Sequence, residues 1–207
     1  MAEIRMDTLF AGDYDEHWGF IDSTHREMLN QFLNLCPPHC TILDAACGTG
    51  KYWSIILASD RSVIGIDQSQ QMLLKAQTKH PNVQIEKLGL QEVPFTGAFD
   101  GIICVDAMEF VFPEDWPLVL ANFHRALRIN GHLYFTVEIT SEEELRSAYV
   151  AGKQLRLPVV EGEFGHEGGY HYYPSIEQVR KWTQEAQFDI LVEAEEDVYH
   201  HFLVRKR

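Results

Sequence analysis

Short apolar runs recur along this chain at residues 41–46 (TILDAA), 62–67 (SVIGID), 83–88 (VQIEKL), 101–106 (GIICVD) and 132–138 (HLYFTVE). Runs of this length, rich in β-branched residues and nearly unbroken by polar ones, are the pattern of strands buried on both faces. Between them the spacing changes to the helical period, predicting helices over 50–59, 69–80 and 115–129. The last of these begins with acidic residues and proline and stops at Asn130-Gly131, a matched start and stop. An earlier helix is expected over residues 23–35, where Met28, Leu29, Phe32, Leu33 and Leu35 share a face and Thr24-x-x-Glu27 reads as a capping box. Strands alternating with helices build a parallel sheet covered on both sides.

The chain ends differently. Residues 175–186 (SIEQVRKWTQEA) read as a helix with Ser175 and Gln178 at its start. Two strand-like runs follow, 188–194 and 198–205, joined by Glu195-Glu196-Asp197. So short a joint permits only an antiparallel pair. The fold class is therefore α/β, a doubly wound sheet of seven strands, mostly parallel, whose last strand runs antiparallel, with helices on both faces. One domain over residues 1–207 is expected from the length.

Charge narrows the partners. The formal net charge is −14, and such a surface repels phosphate backbones and anionic lipid. We expect no nucleic acid and no membrane as partners. Four cysteines, Cys36, Cys40, Cys47 and Cys104, are too scattered for a disulfide framework. Cys36-Pro-Pro-His39-Cys40 is half a zinc pattern with no second half, so no metal is expected there. The opening MAEIRMDTLF has neither the basic nor the apolar stretch of a signal peptide, and no apolar run is long enough to span a bilayer. A cytoplasmic setting is expected.

The most informative stretch is LDAACGTGK, residues 43–51. It leaves a strand, turns through small residues and enters a helix, so backbone N–H groups and the helix N-terminus can meet a ligand closely. A Walker loop needs Gly at 45 and Ser or Thr at 52; the chain has Ala45 and Tyr52. A GxGxxG dinucleotide loop is absent as well. What remains is an acid, a small residue and two glycines, Asp44 through Gly50. The second strand ends in Asp67, where a carboxylate can accept the hydroxyls of a ribose lying across the sheet. Each feature alone is weak; together, with Asp44 and Asp67 at the tips of neighbouring strands, they are a strong signal.

These residues, with GIDQSQQML (65–73), Val93-Pro94-Phe95 leading to Phe99-Asp100, and LRINGHL (127–133), resemble the class I S-adenosylmethionine-dependent methyltransferases. The resemblance covers residues 40–140 well and the last helix and strands more loosely. It implies S-adenosyl-L-methionine as cofactor and a Rossmann-like sheet. By the same resemblance Asp44 and the backbone of Ala46, Cys47 and Gly48, with Gly50, would hold the methionine end, and Asp67 the ribose. Gln68 and Met72 would lie against the adenine, Leu90 and Gln91 at its other edge, and Val105 and Asp106 along the amino-acid moiety. Tyr14 would be a lid residue over the cofactor. Three positions depart from the family pattern: Ala46 replaces the usual first glycine, Gly89 an acidic adenine contact, and Phe110 a histidine found in some relatives.

No motif names the methyl acceptor. The signatures of amino methylation on nucleic acid or glutamine, and of cytosine-C5 chemistry, are absent after the fourth strand. Substrate surfaces in this family come from an N-terminal lid segment (1–39), the loop after strand four and a cap insertion (140–174), all rich here in aromatic and ionisable groups. A connection that long favours a cap over the site. The base or positioning candidates are His17, Glu109 and His171, with Asp106 beside the cofactor. For each histidine the alternative is an ordinary hydrogen-bonded structural role. His200 and His201 fall on opposite faces of the last strand, so at most one can face a pocket. In GHEGGYHYYPS (165–175), Tyr170 and His171 are candidates for a pocket wall that chooses the acceptor. The expected function is methyl transfer to a small-molecule acceptor by in-line displacement. The alternatives are a related fold with another transfer chemistry, a cofactor-binding subunit without turnover, and, disfavoured by size, a protein methyltransferase.

Overall fold

In the computed structural model, residues 14–156, 159–166 and 169–207 are described. The expected N-terminal segment and part of the expected cap therefore fall partly outside them. Seven strands form one sheet in the order β3-β2-β1-β4-β5-β9-β8. They are β1 (Thr41–Ala45), β2 (Ser62–Asp67), β3 (Gln84–Lys87), β4 (Phe99–Cys104), β5 (Leu127–Glu138), β8 (Phe188–Glu195) and β9 (Tyr199–Lys206). All neighbours from β3 to β5 are parallel, and β9 runs antiparallel to both β5 and β8. A separate hairpin, β6 (Glu163–His166) with β7 (Gly169–Tyr172), pairs antiparallel.

The helices are α1 (Tyr14–Trp18), α2 (Ser23–Leu35), α3 (Trp53–Ala58), α4 (Gln70–Lys79), α5 (Trp116–Ala126), α6 (Glu142–Gln154) and α7 (Ile176–Glu185). They cover both sheet faces, and two apolar cores result. One gathers Trp116, Phe123, Phe135, Val179 and Phe202; the other gathers Phe32, Trp53, Ile103, Tyr134 and Leu203. Neighbours in sequence such as Tyr134 and Phe135, or Phe202 and Leu203, go to opposite cores because successive strand residues point to opposite faces.

Three boundaries differ from the sequence reading. Helix α2 is capped by Asp22, which accepts the His25 N–H at 2.8 Å, and not by Thr24. The carboxylate one turn ahead of the apolar face takes the orphan donor first. Helix α5 stops at Ala126, three residues early, because Leu127 is buried and pairs with Phe99 as the first residue of β5. Residues 165–172, read as a connection between core elements, lie largely in the β6–β7 hairpin, whose two four-residue strands escape a period-2 test. The opposite end of α2 is closed by Arg61, whose guanidinium donates to the carbonyls of Leu33 and Cys36, both at 2.7 Å.

Candidate active site

The tips of β1 and β2 set the first half of the site. Asp44 is buried, and its Oδ2 accepts the Trp53 indole N–H at 2.7 Å. Burial raises the Asp44 pKa to about 7, against the Trp53 hydrogen bond, with neighbouring Asp67 adding to the rise. The indole reaches Asp44 because the residue paired with Asp44 on β2 is Gly65. A Cβ there would lie 2.3 Å from Trp53 Cζ2, so glycine leaves the space the ring fills. Sequence reasoning missed Trp53; a glycine inside an otherwise apolar strand is the signal that some group approaches closely.

Asp67 bonds the backbone on both sides. Its Oδ2 accepts the Gly48 N–H at 2.8 Å and its Oδ1 the Ser69 N–H at 2.7 Å. A carboxylate has about four acceptor sites, more than these two bonds fill. Gly48 itself has φ +52, and a Cβ built on it meets nothing within 4 Å. The loop is thus an open cradle of backbone at that point. Ala46 adopts φ 61, the left-handed region that glycine holds without strain. Cys47 is buried, and its thiol lies against the Gly48 carbonyl.

The remaining positions divide. Leu90 is buried in a 3-10 turn (Leu90–Glu92) tied down by Asn122, which donates to the carbonyls of Leu90 and Gln91 at 3.1 and 3.0 Å. The Gln91 side chain donates to Asp115 at 3.2 Å, and its Oε1 stays beside Gly89. Gln68 is exposed. Met72 is 0% exposed, so its side chain is enclosed as it stands.

Beyond β4 the character changes. Asp106 has φ 55, and its N–H donates to Thr136 Oγ1 at 2.8 Å. Its carboxylate lies 3.1 Å from His25 Nε2 and 3.3 Å from Lys51 Nζ. Burial works against its ionisation, yet His25 and Lys51 hold its pKa below the ordinary value. Glu109 sits in the 3-10 turn Met108–Phe110 and is buried. Its Oε2 finds no hydrogen-bond partner among the described residues. Burial first, then Glu138 and Asp106, push its pKa well above that of a free carboxylic acid. Tyr14, on α1, has its hydroxyl raised by burial and then by Asp106, Glu109 and Asp67, and its ring lies 5.6 Å from that of Trp18. The hydroxyls of Tyr173 and Tyr199 are also raised by burial and by the same acidic group, Glu138, Glu109 and, for Tyr199, Asp106.

His171 joins this wall. Its Nδ1 is 2.7 Å from Glu138 Oε2 and 3.2 Å from the Tyr173 hydroxyl, and its ring meets Phe110 edge-on at 4.9 Å. Tyr170, next to it, faces the other way, donating to Glu163 at 3.0 Å and packing on Phe112. His17 is not brought to the group: it is exposed, with its ring against Trp18. Side chains one residue apart on β7 part in this way because alternate positions face opposite sides.

Helix α1 is fixed to the glycine loop by Asp15, another residue the sequence did not single out. Asp15 Oδ1 accepts the Thr49 hydroxyl at 2.5 Å, and Lys79 Nζ reaches both Asp15 oxygens at 3.0 Å and Thr49 Oγ1 at 3.0 Å.

The half-zinc pattern resolves differently. His39 pairs with Asp60 at 3.1 Å on the surface, while Cys36 and Cys40 are buried beneath it. Burial pushes the Cys36 thiol up to about 12. Among the described residues no helix is long and apolar enough to cross a membrane.

Residues 42–131 match a family model described as a methyltransferase domain. A tRNA U34 carboxymethyltransferase of Shewanella amazonensis is 26% identical over 157 residues, covering 72% of this chain and 43% of that protein. A carboxy-S-adenosyl-L-methionine synthase of Helicobacter pylori is 31% identical over 114 residues, covering 52% of this chain and 46% of that one. The chain thus spans less than half the length of these curated relatives. A solved S-adenosylmethionine-dependent methyltransferase from Methanosarcina mazei shares the fold with a TM-score of 0.73 at 16% identity, over 84% of this chain and 95% of its own. Sheet order, glycine loop and strand-tip acids agree with these likenesses: residues 42–131 are similar to the methyltransferase-domain family, and the solved structure shares the fold.

Proposed function

We propose that this protein methylates a small amine or hydroxyl compound, holding the acceptor between S-adenosylmethionine and the acidic wall of Glu109 and Glu138. The observation that carries this reading is Glu109 Oε2, a buried oxygen without a partner among the described residues. A buried acceptor left unmatched costs about 1–3 kcal/mol, and a donor on a bound molecule removes that cost.

The cofactor supplies an electrophilic methyl group on a sulfonium. The residues present fit it. Asp67 keeps acceptor capacity for ribose hydroxyls, Gly48 leaves the loop backbone open, and Asp44 stands at the neighbouring strand tip. Ala46, Cys47 and Gly50 complete the loop, and Val105 with Asp106 continues the cradle. Leu90 offers an apolar edge; Gln68 reaches the adenine side only by moving in from solvent, and Met72 and Gln91 serve through backbone or after a rotation.

On the acceptor side much of the rate comes from placing the nucleophile in line with the methyl group. A proton must also leave an ammonium or hydroxyl. Glu109, whose affinity for protons is raised by burial and by Glu138 and Asp106, is suited to take it. His171, held by Glu138 and Tyr173, fixes the wall behind it, and Tyr14 closes over the junction. His17 has no part in this mechanism.

The same acids disfavour anions. A carboxylated donor of the kind named for the Helicobacter relative would bring its carboxylate toward Asp106, Glu109 and Glu138, with Lys51 already engaged by Asp106. We therefore assign methyl rather than carboxymethyl transfer, and a small acceptor rather than tRNA, in keeping with the net charge of −14.

The test is turnover of S-adenosylmethionine with panels of small amines, phenols and carboxylic acids. Methylated amines or phenols are expected, with Glu109→Gln lowering kcat and leaving cofactor affinity near wild type. Turnover confined to carboxylic acids, or a Glu109→Gln variant as active as wild type, would overturn the reading.

A further inference from the structure

Behind Asp106, on the side away from the glycine loop, lies a cluster that the methyl-transfer reading does not use. His25 on α2, Glu196 in the β8–β9 turn and His201 on β9 bring three ligand atoms within 4.8 Å of one another. We infer that His25, Glu196 and His201 form a binding site for a first-row divalent cation of the zinc type.

Two of the three spacings match the edges of a coordination shell. Glu196 Oε1 lies 3.1 Å from His25 Nδ1 and 3.2 Å from His201 Nε2. A tetrahedron with metal–ligand bonds of about 2.0–2.1 Å has edges of about 3.3 Å. Two imidazoles and a carboxylate are the donors that suit zinc, and cobalt as its stand-in, rather than calcium or magnesium.

Each imidazole is also oriented as metal-bound histidines are. His25 turns Nε2 to the Asp106 carboxylate at 3.1 Å, so an N–H there leaves the Nδ1 lone pair facing the cluster. His201 turns Nδ1 to the Tyr134 hydroxyl at 3.0 Å, which frees Nε2 in the same way. His25 is 2% exposed, and although Asp22 and Glu196 stand near its Nδ1, that nitrogen makes no directed hydrogen bond among the described residues. It is a buried nitrogen faced by two carboxylate oxygens.

Two outer features complete the picture. Asp22 Oδ2, 2.5 Å from His25 Nδ1, is too close to be a further vertex, but adds negative charge at the mouth. Asp22 and Glu196 are 38% and 22% exposed in their side chains, giving a cation a way in.

The experiment uses tag-free full-length protein freed of metal with a chelator, then titrated with Zn2+ by calorimetry and with Co2+ by visible absorption. About one equivalent is expected, with the cobalt spectrum of a nitrogen–oxygen site and no thiolate band. Glu196→Gln, at the half-exposed turn, and His201→Ala should each weaken binding roughly 100-fold or more, while Cys40→Ser leaves it unchanged. Circular dichroism confirms that each variant is folded, and the turn substitution serves if the buried one is not. No saturable uptake, uptake undiminished in Glu196→Gln, or uptake abolished by Cys40→Ser would each overturn the assignment. None of these readouts depends on methyl transfer, so the two readings fail separately.

Discussion

The two ends of the site treat buried carboxylates in opposite ways. At the tips of β1 and β2, Asp44 and Asp67 are matched: one by an indole N–H, the other by two backbone N–H groups. Beyond β4, Glu109 is buried with an unmatched oxygen beside Glu138 and Asp106. The first end is preorganised, and its free energy was spent on folding. The second holds its polar mismatch in reserve for whatever binds there. That division leaves the matched end built into the backbone and the unmatched end open to whatever binds there.

The sharpest way to break the contrast is to remove Asp67. With two charge-assisted hydrogen bonds to a ribose worth about 1.5–3 kcal/mol each, Asp67→Ala should weaken cofactor binding about 100-fold or more by calorimetry. Unchanged affinity would sink the ribose assignment.

Glu109→Gln and Asp44→Asn test the two ends against each other. Glu109→Gln should lower kcat roughly 10- to 100-fold with cofactor affinity unchanged, whereas Asp44→Asn should weaken cofactor binding about 10-fold. Both should nevertheless stabilise the fold at neutral pH. The sign follows from the raised pKa values: an acid whose folded pKa exceeds its unfolded one supports folding at low pH and loses that support as pH rises. For Asp44 the window runs from the ordinary value of 3.8 up to about 7. Unfolding free energies of Asp44→Asn and wild type should therefore run parallel below the lower limit and diverge between the two limits, by on the order of 4 kcal/mol at most. A gap that is constant with pH would mean that Asp44 stays ionised throughout.

Smaller effects refine the loop. Ala46→Gly relieves a left-handed alanine and should stabilise the protein by about 1 kcal/mol in denaturant unfolding. A loss of stability would show that the Ala46 methyl packs usefully. Asp15→Ala removes the tie from α1 to Thr49 and Lys79 and should weaken cofactor binding only about 2- to 5-fold, an effect that shrinks at high salt.

The first end was legible in the sequence because it is local. Asp44, Gly48 and Gly50 lie within seven residues, and Asp67 ends the next strand, so strand period and turn chemistry suffice to place them. The antiparallel finish was legible too, since a joint as short as residues 195–197 allows nothing else. What stayed hidden is assembled across distance. Trp53 reaches Asp44 through the space left by Gly65, and His25 meets Asp106 from 81 positions away. His171 and Glu138 face each other only because a short hairpin brings β7 to the end of β5. His17 sits beside informative residues in the chain, on a one-turn helix where it is exposed and its ring meets Trp18.

The tie between Asp15 and Thr49 has a thermodynamic corollary. Thr49 belongs to the same turn whose neighbour Gly48 is bonded to Asp67, so α1 and the cofactor cradle share one set of hydrogen bonds. Whatever free energy docking of α1 lends to a ligand in the cradle, that ligand returns in full to α1. Protease sensitivity or hydrogen exchange in α1 is therefore a gauge of occupancy at a site the helix need never touch.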